Sequence, residues 1–479
     1  MGQRLISPWL YLIPTLLVGF FAILCADFQL DDALIYLRYI RNFHEGRGLV
    51  YNPGELFNGL TSPLFSYLVL VSSYALDYQT ANIAVSAIFM AGAAIVGGLV
   101  FARSAVEWIT ITVLLSSLSY FYLTFGMESS LFLFLIGLTL FLTQRTNEWL
   151  WPVLALLVST RSEGIFLAVP AAGVYLYQTR KIPPLSFITL SALIAVAPYM
   201  VNVSYYGSLV PDSASAKIGQ GSSGLWGEHL AFLHIGYMRD WFFGGSLASI
   251  IILVAVSLVG VLRHRNDRAI ILSLGFLVAL AIFYLGFNIP GYHWYFAPFF
   301  YFFGIFIGLG VTELCRMLFD GYRVSRRNVV LMCLLSAFGY GTLHAVDFKP
   351  RKGADAYAAI GRWLEAHTPP NASVGLIEVG TVGWFCTRRV IDILGLVSAY
   401  NAEYIADRNL HGWLRHYQPD YVLRHNPAWP HEQSITTLER SRLYIPVTEL
   451  TVPGFTLLRR APQATREEII AIADRQRAP

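Results

Sequence analysis

Unbroken apolar runs, rather than alternating or striped patterns, dominate the chain. They reach membrane-spanning length at 8–26, 82–102, 107–125, 129–143, 184–203, 246–262, 269–287, 295–317 and 329–345, and each predicts a transmembrane helix. Two further runs are irregular. The run 61–76 is short and begins Thr61-Ser62-Pro63, so it is expected not to cross fully. The run 150–177 is broken by Arg161-Ser162-Glu163-Gly164, which predicts two short helices meeting at a polar hairpin, because charge at membrane depth must face protein or a water-filled cavity. The total is about eleven spans of about twenty residues each. Met1 to Arg4 gives the first run a charged start, but its length and the absence of a clean small-x-small site predict a retained helix rather than a signal peptide.

After residue 345 the pattern changes to short β-type runs at 373–377, 389–394 and 420–423 and helical stretches at 355–366 and 464–476. This predicts a small α/β domain over 346–479 appended to a transmembrane domain over 1–345. Basic loops set the orientation. Arg180-Lys181, the cluster Arg263, His264, Arg265 and Arg268, and the cluster Arg323, Arg326 and Arg327 are expected on the cytoplasmic side. That places the first loop (27–60), the Arg161 hairpin, 204–245, 288–294 and the C-terminal domain on the outer face.

Composition narrows the class. Of 479 residues 55% are hydrophobic and 13% charged, about half the charged fraction of a soluble domain, and the mean hydropathy is +0.53. A soluble enzyme, a disordered chain and a nucleic-acid-binding module are all disfavoured. The net charge of +4 follows from Arg-rich cytoplasmic loops and does not imply nucleic acid as a partner. Four cysteines, three of them in or beside apolar runs, make a disulfide framework or zinc site improbable.

The first outer loop concentrates the candidate chemistry. It opens Asp31-Asp32-Ala33-Leu34, continues Leu37-Arg38-Tyr39-Ile40-Arg41, and passes through Gly46-Arg47-Gly48-Leu49-Val50-Tyr51-Asn52-Pro53-Gly54-Glu55 to Asn58-Gly59-Leu60-Thr61-Ser62-Pro63. Leu34, Leu37, Ile40 and Arg41 recur at helical spacing, predicting an amphipathic helix along the membrane surface with the acidic pair at its N-terminus. The bland alternative is that the pair caps this helix. One Asp suffices for a cap, whereas a doubled carboxylate beside a membrane is suited to act as general base or cation ligand.

The loop, with Gly126-Met127-Glu128, Arg161-Ser162-Glu163-Gly164, Tyr206-Gly207-Ser208-Leu209-Val210-Pro211 followed by Lys217, Trp294-Tyr295, Glu378-Val379-Gly380 and Asp392-Ile393-Leu394-Gly395-Leu396, resembles the GT-C class of polyprenyl-phosphate-sugar glycosyltransferases. More narrowly, it is similar to the mycobacterial terminal arabinofuranosyltransferase (AftB-like) family. The likeness runs nearly to residue 400. Such loops often carry Glu before the Gly of Gly-x-Thr-Ser-Pro, where this chain has Asn58.

The resemblance implies a polytopic α-helical membrane protein of GT-C type with a small α/β extracytoplasmic domain, in the bacterial cytoplasmic membrane. It would move a sugar, with a pentofuranose such as arabinofuranose suggested, from a polyprenyl-phosphate donor to a cell-envelope glycan or glycoprotein acceptor on the outer face. Asp31 and Asp32 are the expected catalytic pair. Expected substrate-binding residues are Arg38, Glu128, Arg161, Glu163, Lys217, His293, Tyr295, Glu378 and Asp392. For each a structural role competes: snorkelling for Arg38, a mutual ion pair for Arg161 and Glu163, interfacial anchoring for the 293–295 segment, a solvated charge for Lys217, and pairing with Arg388 and Arg389 for Glu378 and Asp392. No cofactor is assigned, and a divalent cation at the acidic pair is a candidate. The chain has no Walker A sequence, dinucleotide glycine fingerprint or His-Glu-x-x-His, so an activated donor has to drive transfer. A transporter or flippase of lipid-linked sugars is the alternative, as is a noncatalytic assembly scaffold. Outer-face clustering of the polar residues and absent repeat symmetry argue against the transporter.

Overall fold

The computed structural model describes residues 7–475, except 210, 228, 234–235, 237–245, 320–325 and 349. Arg323 of the expected basic clusters lies outside the described residues, as do the side chains of Arg326 and Arg327. The helices of the N-terminal part are α1 (Leu12–Leu24), α2 (Asp31–His44), α3 (Pro63–Ser72), α4 (Tyr78–Phe101), α5 (Ala105–Ser117), α6 (Ser119–Leu123), α7 (Ser129–Gln144), α8 (Leu150–Thr160), α9 (Ile165–Thr179), α10 (Leu185–Val201), α11 (Asp212–Ser223), α12 (Leu247–Arg263), α13 (Arg268–Gly286), α14 (Ala297–Phe319) and α15 (Arg326–Val346). Among the described residues, six helices are long and apolar enough to cross a membrane, and five further apolar helices have 10–17 residues.

Local chemistry accounts for the short ones. Pro63 starts α3, whose 10 residues reach about 15 Å, half the thickness of a hydrocarbon core. Arg161 adopts an extended conformation after α8 and a single 3-10 turn, Ser162–Gly164, leads into α9, so the broken run does form a hairpin of short helices. Helices α12 and α14 cross at very close range. A Cβ on Gly310 would overlap the Val256 carbonyl, and one on Gly260 the Phe306 carbonyl, a use of small residues common where helices pack without a hydrophobic driving force.

The C-terminal part carries α16 (Pro350–His367), β1 (Ser373–Leu376), α17 (Val379–Phe385), β2 (Arg389–Asp392), α18 (Asn401–Ala406), β3 (Tyr421–His425), α19 (Gln433–Arg440), β4 (Tyr444–Pro446), β5 (Phe455–Arg460) and α20 (Arg466–Arg475). Among the described residues the sheet has five strands in the order β2-β1-β3-β5-β4. Parallel pairing joins β1 to β2 and β3, with Val374 opposite both Val390 and Tyr421. The β3-β5 and β5-β4 pairs are antiparallel. The sequence signalled β1 to β3 but not β4 or β5, whose Pro446 and paired Arg459-Arg460 break the apolar signature of a strand.

Helix α2 departs from expectation. Instead of lying along a membrane surface with a solvated face, it buries Leu34, Tyr36, Leu37, Arg38, Tyr39, Ile40 and Asn42 among others. The helical bundle covers one side and α17 the other. The short parallel crossover β1-α17-β2 is therefore the part of the C-terminal sheet domain that rests on the first loop, and their seam is where the site forms.

Candidate active site

Both residues of the acidic pair stand at the start of α2, but neither side chain caps it. Asp31 reaches across the seam. Its Oδ2 accepts the backbone N–H of Gly380 at 2.7 Å and its Oδ1 that of Thr381 at 2.6 Å, at the positive end of α17. A Cβ at position 380 would overlap the Asp31 carbonyl, so only glycine permits this approach. Asp32 keeps a partly exposed carboxyl, 21% accessible, with the Lys217 Nζ at 4.0 Å. Burial pushes the Asp32 carboxyl up to about 6, the Lys217 charge pulling it down and Asp31 and Glu128 adding to the rise.

Lys217 is not a solvated charge. It projects from α11, with a side chain only 9% exposed, and its ammonium faces the rings of Trp294 at 4.5 Å, Tyr292 at 5.3 Å and Tyr295 at 5.6 Å. Such cation–π contacts together with one carboxylate compensate for the water the ammonium has lost. Helix α11 is tethered to the first loop. The Asp212 carboxylate accepts the Asn58 backbone N–H at 2.9 Å, and the Asn58 amide donates to Asn202 at 2.9 Å. The link to the Lys217 helix is thus made by the Asn58 backbone, while its side-chain amide ties the loop to the segment that follows α10.

Asp31, Asp32, His293 and Glu378 line a cavity of about 590 Å³ between α2, the 290–294 segment and the C-terminal domain. Glu378 ends the turn between β1 and α17. Its carboxyl is held well above the usual carboxylate range, by burial first and then by the charges of Asp31 and Asp32. Burial likewise raises Asp31, against the N–H groups that stabilise its charged form.

Other expected ligands are placed elsewhere. Arg38 is 1% exposed and spends its guanidinium on protein: Nε on the Tyr51 carbonyl at 2.8 Å, and the terminal nitrogens on the carbonyls of Gly383 at 2.8 Å and Arg388 at 2.7 Å and on Asn52 at 3.1 Å. It neither snorkels nor faces the cavity; it fastens α2 to the C-terminal domain. Asp392 is fully buried, and its carboxylate gathers the backbone N–H groups of Leu394, Leu396 and Val397. It shapes its own loop rather than the cavity roof, while Arg388 pairs with Glu365 and Arg389 with Glu55.

Arg161 is bracketed by two acids, Glu128 at 3.0 Å and Glu163 at 2.9 Å. Tyr36 donates to the other Glu128 oxygen at 3.0 Å, and Tyr284 to Glu163 at 3.1 Å. Glu128 therefore joins the pair expected between Arg161 and Glu163, and none of the three is among the side chains lining the cavity. The Tyr295 ring touches both groups, with its centroid 4.9 Å from the Arg161 guanidinium and 5.6 Å from the Lys217 ammonium.

A cation at the acidic pair finds no donor set. Among the described residues no group of three or more His, Cys, Asp or Glu side chains converges in a way that could hold a metal ion, and both Asp31 oxygens are engaged by backbone N–H groups. Sequence reasoning missed Tyr292, Trp226, Tyr357 and Trp429, all of which line the cavity. Trp429 had one visible signal: it stands between two prolines in the polar stretch Asn426-Pro427-Ala428-Trp429-Pro430, where a core tryptophan is not expected.

Comparison with known proteins places this geometry. Residues 348–468 match a family model described as a domain of unknown function, DUF8728. The terminal beta-(1->2)-arabinofuranosyltransferase of Corynebacterium glutamicum is 26% identical over 242 residues, covering 41% of this chain and 34% of that protein. The chain thus spans about a third of the length of the curated relative it matches. The fold is similar to the crystal structure of ArnT from Cupriavidus metallidurans bound to undecaprenyl phosphate, with a TM-score of 0.57 at 11% identity over 95% of this chain and 98% of that one. The apo form of ArnT gives 0.56 at 12% identity, covering 95% and 99%. The expected GT-C architecture, helical bundle with a small C-terminal sheet domain, is therefore the fold observed.

Proposed function

We propose that the chain is an integral membrane glycosyltransferase of bacterial inner membranes, which moves a sugar from a polyprenyl-phosphate donor to an acceptor hydroxyl on the extracytoplasmic face. The observation that carries this reading is the juxtaposition of Asp32 and Lys217, 4.0 Å apart beside a cavity large enough for a sugar. The name of the arabinofuranosyltransferase relative supports a pentofuranose donor such as arabinofuranose, and the undecaprenyl phosphate named with ArnT supports the lipid carrier.

Chemistry follows from the two side chains. Asp32 accepts the proton of the acceptor hydroxyl as its oxygen attacks C1 of the donor sugar. The bond from C1 to the phosphate oxygen breaks, and its electron pair leaves on the polyprenyl phosphate, whose charge the Lys217 ammonium meets. A phosphate ester is a good enough leaving group to need no general acid. Asp31, with both oxygens engaged, holds the start of α2 against α17 and so positions its neighbour. Glu378, which lines the same cavity, offers a hydrogen-bonding carboxyl to the sugar.

Purified protein incubated in detergent with labelled undecaprenyl-phospho-arabinofuranose, and separately with a hexose analogue, tests this reading. Wild type is expected to release undecaprenyl phosphate from the pentose donor, and Asp32→Asn to slow release by at least about 100-fold. Turnover by Asp32→Asn at the wild-type rate removes Asp32 as the base. Failure of wild type to consume either donor with any glycan acceptor removes the transferase reading.

A further inference from the structure

Part of the cavity wall belongs to the C-terminal domain, and its chemistry differs from that of the α2 side, where Asp32 meets Lys217. Tyr357 of α16 and Trp429 line it. The Tyr357 hydroxyl lies 2.6 Å from Nε2 of His425, and Nδ1 of the same ring lies 2.8 Å from the Glu432 carboxylate. Glu432 also takes the backbone N–H groups of His425 at 3.1 Å and Trp429 at 2.7 Å, so it acts as an acceptor throughout. Nδ1 therefore donates to Glu432, and in the neutral imidazole Nε2 is left to accept from Tyr357. In that arrangement the single hydroxyl proton of Tyr357 goes to His425, and its oxygen serves the cavity as an acceptor. Beside it, the Trp429 indole stacks on the His425 ring with centroids 3.6 Å apart and planes 9° apart, yet remains 39% exposed.

We propose that Tyr357 and Trp429 form a binding subsite for the acceptor, and that the acceptor it takes is a neutral carbohydrate. A flat, rigidly backed indole suits the apolar C–H face of a sugar ring. An oxygen that accepts selects a ligand that donates, which a sugar hydroxyl does. The carboxyls of Asp31 and Asp32 at the start of α2, which line the same cavity, favour a hydroxyl-rich ligand over an anionic one. This placement rests on the transferase reading in one respect: the donor phosphate occupies the Lys217 side, which leaves the C-terminal wall to the acceptor. Tyr357, His425, Trp429 and Glu432 then form one unit in which Glu432 and His425 position the hydroxyl and the ring that touch the glycan.

Binding measured without turnover tests the subsite separately from catalysis. The full chain in detergent is titrated with arabino-, galacto- and manno-oligosaccharides, following tryptophan fluorescence and, independently, calorimetry. Wild type is expected to bind at least one of the three. Trp429→Ala and Tyr357→Phe are each expected to weaken it by about 3- to 10-fold, the range for losing one aromatic contact or one neutral hydrogen bond. Tyr357→Phe keeps the ring that packs on Phe455 at 4.7 Å, and binding of undecaprenyl phosphate by both variants reports that they are folded. Oligosaccharide affinity equal to wild type in both variants overturns the proposal, as does absence of binding to all three by wild type. Unchanged oligosaccharide affinity with weakened affinity for undecaprenyl-phospho-arabinofuranose also overturns it, by assigning the face to the donor. A chain that binds glycan through this face but consumes no lipid-linked sugar would keep the subsite and lose the transferase reading; one that transfers sugar with Trp429 and Tyr357 indifferent to glycan would do the reverse.

Discussion

Asp31 and Asp32 are adjacent in sequence and carry the same group, yet the fold gives them different surroundings. Two backbone N–H groups fix Asp31, while Asp32 faces Lys217 and the cavity. With its carboxyl pushed up to about 6, Asp32 is deprotonated above that pH and protonated below it. Turnover that needs the base form should therefore fall about tenfold per pH unit on the acid side of pH 6. Lys217→Met removes the charge that pulls this value down, so the acid limb of kcat/KM is expected to move to higher pH; an unmoved limb would separate Asp32 from the titrating group. The sign for stability is opposite. A carboxyl raised above its unfolded value of 3.8 contributes most below that pH, and the contribution is lost as pH rises through about 6.

At this scale the sequence showed which residues matter better than what they do. A charged residue in a chain only 13% charged is conspicuous, so Asp31, Asp32, Lys217 and Glu378 were legible. The role of Arg38 was not, because its partners beyond the first loop are backbone carbonyls at Gly383, Cys386 and Arg388. Carbonyls leave no side-chain signature, and these lie some 350 residues along the chain. Tyr357 was equally silent, since its commitment as an acceptor depends on His425 and Glu432.

Among the elements, α2 and α17 decide whether a site exists. Helix α2 was predicted from its periodicity, and its position follows from burial that periodicity alone cannot assign: a helix with apolar residues most of the way round needs protein on both sides. Helix α17 has 7 residues, too few for a pattern to show, and only its glycines hint at close approach. Position 380 exposes the dependence. In Gly380→Ala the added methyl meets the backbone carbonyl of Asp31, which cannot rotate away, so α17 must shift and both N–H bonds to the Asp31 carboxylate weaken. The expected cost is about 1–3 kcal/mol of stability, read as a lower thermal midpoint in detergent. Transfer should fall further than the midpoint implies, because Asp32 loses its anchor. Gly339→Ala, where nothing lies within 4 Å of the new methyl, is the control and should leave both unchanged. Equal behaviour of the two variants would mean that the α2-α17 seam does not position the site.

For the whole molecule, the question is which side of the membrane the cavity faces. Helices running in opposite directions bring their basic ends together: Arg103, after α4, lies 3.4 Å from Asp267 before α13, while Arg263 at the end of α12 and Arg316 near the end of α14 share Glu313 at 3.4 and 2.6 Å. At the other ends of α13 and α14 are the 290–294 segment and the cavity. The basic end is expected in the cytoplasm; on the proposed reading the acidic pair, Lys217 and the C-terminal domain then lie outside, where no nucleotide supply exists and a lipid-carried sugar is the available activated donor. Single cysteines in a Cys333→Ser background test this, since Cys25, Cys315 and Cys386 are buried and Cys333 is exposed. A cysteine at Leu56, which is 62% exposed in the first loop, should react in intact cells with a membrane-impermeant maleimide. A cysteine at exposed Arg265 should react only after permeabilisation. The reverse pattern would turn the cavity toward the cytoplasm, where soluble nucleotide sugars compete as donors, and the case for a polyprenyl-phosphate substrate would lose its thermodynamic basis.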